Sequence, residues 1–236
     1  MKTKSVFPLS LMRNLLGTLG TMLTMVLLGL GLSTPAQAVI VGSPASDGNC
    51  FPFGCAFIAG PSTRYQQVYD DAALGGPITI SEIRFFLNIA GRLNSGTYTL
   101  RLSHSANPVD ALDTLSFGNN VGSDDALFGV FVLTGGPAPA TLSFVGAPFA
   151  YDGLGDLLLD IQVAGISHAG LSSSYDARND DAGGLFSRVH DFGTGFEGYG
   201  LVTEFTQATQ APEPATLALL GVGLAALGFA RRSRAA

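Results

Sequence analysis

Tryptophan is absent from this 236-residue chain, and cysteine occurs only twice. Histidine is nearly as scarce: His104, His168 and His190 stand far apart, in no spacing used by metal sites or catalytic triads. There is no His-Glu-x-x-His and no Gly-x-Ser-x-Gly, so the usual signatures of zinc proteases and serine hydrolases are missing. Lysine is absent between residues 39 and 211, because the two lysines are Lys2 and Lys4. In that span six arginines stand against 17 carboxylates, a net charge of −11 that the whole-chain value of −6 hides. Such a surface repels phosphates, which excludes nucleic acid as a partner. Amphipathic helical patterning of useful length is missing as well.

Long apolar runs occur only at the two ends. Lys2, Lys4 and Arg13 precede an apolar stretch from Leu15 to Leu32. Ser33-Thr34-Pro35 then breaks any helix, and Ala36-Gln37-Ala38 is a small-x-small cleavage site. This layout predicts a signal peptide over residues 1–38, cut after Ala38 to leave Val39 as the mature N-terminus.

The other end reads Pro212-Glu213-Pro214, then an apolar run from Ala215 to Ala230, then Arg231-Arg232-Ser233-Arg234. As a helix, residues 215–230 would span about 24 Å, slightly under the roughly 30 Å hydrocarbon core. Arginines at its end can snorkel across that gap. The positive-inside rule keeps Arg231, Arg232 and Arg234 in the cytoplasm together with the N-terminal cations, so residues 39–211 are expected outside.

The three parts of this tail, in order and correctly spaced, resemble the PEP-CTERM sorting signal of Gram-negative, exopolysaccharide-producing bacteria. The resemblance covers residues 212–234. It implies recognition of Pro212, Glu213 and Pro214 by an exosortase, an integral-membrane cysteine transpeptidase. It also implies export, a transient stay in the inner membrane, removal of the helix, and delivery to the outer surface or extracellular matrix. The prolines fit this role, since they hold the segment extended and without helical hydrogen bonds. Expected partners are therefore the exosortase, the export machinery, the membrane during sorting and matrix polysaccharide. No cofactor is expected.

Residues 39–205 read as all-β. Tyr98, Leu100 and Leu102 alternate with Thr97, Thr99 and Arg101, and Leu157, Leu159, Ile161 and Val163 alternate with Leu158, Asp160 and Gln162. Each is the period-two pattern of a half-buried strand. Ile78–Ile80 and Ile83–Leu87 alternate too, but Ser81-Glu82 shifts the phase by one, which predicts a β-bulge. Further strands are expected at 65–69, 128–133, 141–145, 170–175, 185–189 and 201–205, separated by Gly-, Asn- and Pro-rich turns. About nine short strands predict a two-sheet β-sandwich, jelly-roll-like, flanked by the N-terminal signal helix and the C-terminal transmembrane helix. Residues 206–211 read as a linker, and 212–236 as the sorting signal. The segments Tyr65–Asp70, Ile78–Phe86, Thr97–Ser103 and Phe149–Asp160 are similar to bodies of other PEP-CTERM proteins, and that likeness implies no activity.

Cys50 and Cys55 flank Phe51-Pro52-Phe53-Gly54, and in an exported chain such a pair suggests a disulfide, since two thiols without nearby partners make a poor metal site. Asp176, Asn179, Asp180 and Asp181, ahead of Gly183-Gly184, are the best calcium candidate, read as an acidic loop. Asp70-Asp71 and Asp124-Asp125 are weaker ones. Tyr151, Tyr175 and Tyr199 are the candidates for a sugar platform. Thr97 and Thr99 are too few for an ice-binding array. The expected function is a non-enzymatic surface or matrix protein sorted by its tail. A carbohydrate-binding module is the alternative, and a secreted hydrolase built on a carboxylate pair the third.

Overall fold

The computed structural model describes residues 38–43, 47–56, 60–179, 184–191 and 198–207. The predicted signal segment before Ala38, residues 208–211 of the expected linker, the sorting signal 212–236, and Asp180 and Asp181 lie outside the described residues, while Thr206, expected in the linker, ends the last strand. Among the described residues no helix is long and apolar enough to cross a membrane.

Among the described residues twelve strands form two antiparallel sheets. They are β1 (Ala38–Val41), β2 (Asp47–Asn49), β3 (Gly60–Tyr69), β4 (Ile78–Ile89), β5 (Ser95–His104), β6 (Ala126–Thr134), β7 (Thr141–Tyr151), β8 (Leu157–Ser167), β9 (Ser174–Asn179), β10 (Phe186–His190), β11 (Tyr199–Leu201) and β12 (Thr203–Thr206). The first sheet runs β1-β12-β4-β9-β11, with β2 also on β9 and β7 also on β4. The second runs β10-β3-β8-β5-β6. A single-turn helix, α1 (Asp71–Leu74), follows β3, capped by the Asp70 side chain on the Ala72 N–H. The architecture is that of a two-sheet β protein.

Alternation decides which side chains enter the core. Tyr98, Leu100 and Leu102 of β5 and Leu157, Leu159, Ile161 and Val163 of β8 are buried. They meet Ile80, Ile83 and Phe85 of β4 and Phe144 of β7 in one continuous core. The expected bulge is present: the β4–β7 register jumps between Ile80↔Phe149 and Glu82↔Val145. That slip turns both Ile80 and Ile83 inward. Phe53 lies at the centre of the aromatic packing, with ring centroids 4.9 Å from Phe85, 5.6 Å from Phe144, 5.7 Å from Tyr98 and 5.9 Å from Tyr175. It is delivered there by the short loop that the Cys50–Cys55 disulfide closes, whose Cα atoms are 4.8 Å apart.

β3 begins at Gly60 rather than at residue 65, and three further strand assignments need correction. The ninth strand is Ser174–Asn179, not residues 170–175, because Tyr175 and Ala177 share the buried phase. β7 continues past Gly146 to Tyr151, through Pro148, which an edge strand tolerates. The last stretch divides at Val202 into β11, on β9, and β12, between β1 and β4. On β8, Leu158 is buried although it faces outward. The connection between β5 and β6 folds over it, packing Val109, Leu112, Phe117 and Val121 against Val68, Leu158 and Val189.

Candidate functional site

The two ends of the body lie side by side. β1 pairs antiparallel with β12, and Ala38 stands opposite Thr206. Whatever precedes Ala38 and whatever follows Thr206 therefore joins the sandwich at neighbouring points of one sheet.

The densest chemistry sits where β5, β7 and α1 end. His104, the last residue of β5, has Nδ1 2.6 Å from Asp124 and Nε2 2.9 Å from Asp152, and its ring stacks on Tyr151 at 5.3 Å. Burial alone lowers the imidazole pKa, but the hydrogen bonds to Asp124 and Asp152 outweigh it and hold the ring above its usual range. Asp124 precedes β6 and Asp152 follows β7, so the ring ties the two sheets together. Both nitrogens are taken by carboxylates, which leaves none to activate a hydroxyl or thiol. The group is a clamp.

Beside it Asp70, Asp71 and Asp156 bring carboxylate oxygens within 4.8 Å of one another. Burial, with Asp70 and Asp71 nearby, pushes Asp156 above the usual carboxylate range, against the pull of its N–H donors Val109 and Asp71. Backbone contacts account for this cluster. Asp156 accepts from Val109 N at 2.9 Å and Asp71 N at 3.3 Å. Asp70 caps α1, and Asp71 accepts from Gly155 N at 3.4 Å. Their spacing in sequence gave no hint that Asp156 would join the Asp70-Asp71 pair.

The acidic segment expected as a calcium loop is not a loop where it is described. Asp176 belongs to β9, accepts from Asn88 Nδ2 at 3.0 Å, and pairs with Gly48 of β2, while Asn179 pairs with Tyr199 of β11. The strand's pleat directs these positions into ladders. The tyrosine platform is not formed either. Tyr175 is wholly buried, Tyr151 is 2 % exposed, and Arg188 lies 4.4 Å over the Tyr199 ring. Glu82 and Glu204 both bond Arg84, at 2.6 and 3.3 Å. The bond from Arg84 draws the Glu82 carboxyl below its usual range, which is the wrong direction for a general acid.

The described body is an all-β sandwich in which the polar clusters named above hold loops and strands. Residues 210–234 match the PEP-CTERM protein-sorting motif, so the chain carries that sorting signal. The motif implies recognition by an exosortase and marks a secreted, cell-surface-targeted protein. No curated protein and no solved structure matches the chain.

Proposed function

We propose that the chain is the passenger of a sorting reaction and performs no catalysis of its own. In this reading a signal peptide ending at Ala38 exports it, and residues 215–230 hold it in the inner membrane. An exosortase engages Pro212-Glu213-Pro214 there, with Arg231, Arg232 and Arg234 as the cytoplasmic stop. The sandwich then goes to the outer surface or the polysaccharide matrix. The observation that carries this is the match of residues 210–234 to the sorting motif. Two further features support it. The body is strongly acidic and lysine-free, which suits a soluble extracellular domain. The His104 clamp and the Glu82–Arg84–Glu204 network engage groups that a hydrolase would need free. The test is to replace Pro212, Glu213 and Pro214 with alanine and follow the protein by fractionation. Retention of the variant in the inner membrane is expected, and release at the normal rate would defeat the reading.

A further inference from the structure

The bond expected to be cut on export, Ala38–Val39, lies inside the first strand of the sandwich. Ala38 stands opposite Thr206 and Val39 opposite Phe205 in the β1–β12 ladder. Val39 packs against the main core, and Val41, two residues on, is buried in it. Gly42 fixes the far end of the strand. Its φ of +90° suits glycine, and a Cβ there would lie 3.1 Å from the Phe186 ring and 3.2 Å from Val202.

A peptidase takes its substrate as an extended segment with free backbone groups. Cleavage therefore runs through conformations in which that segment has left the fold. The small side chains of Ala36 and Ala38 make the site readable, but only while β1 is unpaired. Among the described residues the one strand that pairs with β1 is β12, the last in sequence. In a chain that emerges N-terminus first, β1 has no ladder to join until the whole body has followed it. At the roughly 5–20 residues per second of chain synthesis, that interval is on the order of ten seconds. β12 also pairs with β4 on its other side, so its arrival joins β1 to the sheet.

We infer that the fold times its own processing: hydrolysis of the Ala38–Val39 bond precedes the pairing of β1 with β12, and that pairing closes the site. In the hydrolysis water adds across the amide, leaving a carboxylate on Ala38 and an ammonium on Val39. The inference rests on the signal-peptide reading given above and adds the order of events. A chain that completes the sandwich uncut becomes resistant to the peptidase, because the ladder must open before the bond can enter an active site.

The full chain, made by cell-free synthesis into detergent micelles, tests this with a bacterial signal peptidase as the probe. Intact mass reads the product that begins at Val39. Peptidase present during synthesis should cut the chain completely. Added after folding is complete, it should cut at least about tenfold more slowly, since ladder hydrogen bonds must first be broken. Unfolding the same chain in urea and diluting it straight into peptidase should restore fast cutting. Val41→Ala, which loosens β1, should speed cleavage of the folded chain and leave the rate of the unfolded one unchanged. Equal rates before and after folding, or protection that Val41→Ala leaves intact, would overturn the inference while the signal-peptide reading stands. No product beginning at Val39 in any arm would overturn both.

Discussion

Ala38 and Thr206 face each other across the β1–β12 ladder, so the first and last strands of the body hold one another. β12 in turn pairs with β4 at the heart of the same sheet.

The pairing makes β1 a structural part of the sandwich. Val41 is 1 % exposed and packs in the main core. Val41→Ala should cost about 2 kcal/mol, from two lost methyl groups and the cavity they leave. Urea denaturation at constant m-value measures it.

Phe53 carries a larger share. It touches aromatic rings from both sheets and is fully buried. Phe53→Ala should destabilise by about 3–5 kcal/mol. A loss under about 1 kcal/mol, small for any buried aromatic, would mean that the Cys50–Cys55 loop is not the plug of this core.

Opening the Cys50–Cys55 bond should cost about 2 kcal/mol, because the loop it closes is short. Chemical denaturation with and without reductant gives the difference directly, and thiol counting confirms the redox state.

His104 predicts a pH dependence. Its folded pKa is raised, so its stabilising contribution is complete below about pH 6.5, the ordinary histidine value, and fades as pH rises through the folded value. The Tm of the wild type should therefore fall on going from slightly acidic to slightly alkaline pH. His104→Gln should remove that slope while leaving the alkaline Tm nearly unchanged. A slope that persists in the variant would assign it to other groups.

Legibility in the sequence depended on distance along the chain. The tail was readable because its three parts are contiguous. The bulge was readable because Ile80 and Ile83 break a period-two pattern within four residues. The ninth strand was placed four residues early although Tyr175 and Ala177 alternate correctly. Asp176, Arg178 and Asn179 between them look like a solvated loop, and Ala177 is too small to announce a core position. The clamp was out of reach for another reason: Asp124 and Asp152 lie 20 and 48 residues from His104, and only the meeting of the sheets brings them to one ring. The tyrosines were misjudged because the same ring chemistry that makes a sugar platform fills a core, and burial decides between them.

The central claim is that the tail is a processed sorting signal. Intact mass of the protein from native cells, measured separately for inner membrane, outer surface and medium, tests it most directly. The account predicts a species that begins at Val39, lacks residues 215–236 and lies outside the inner membrane. A species confined to the inner membrane and still carrying Ala215–Ala236 would contradict it and make the tail a permanent anchor.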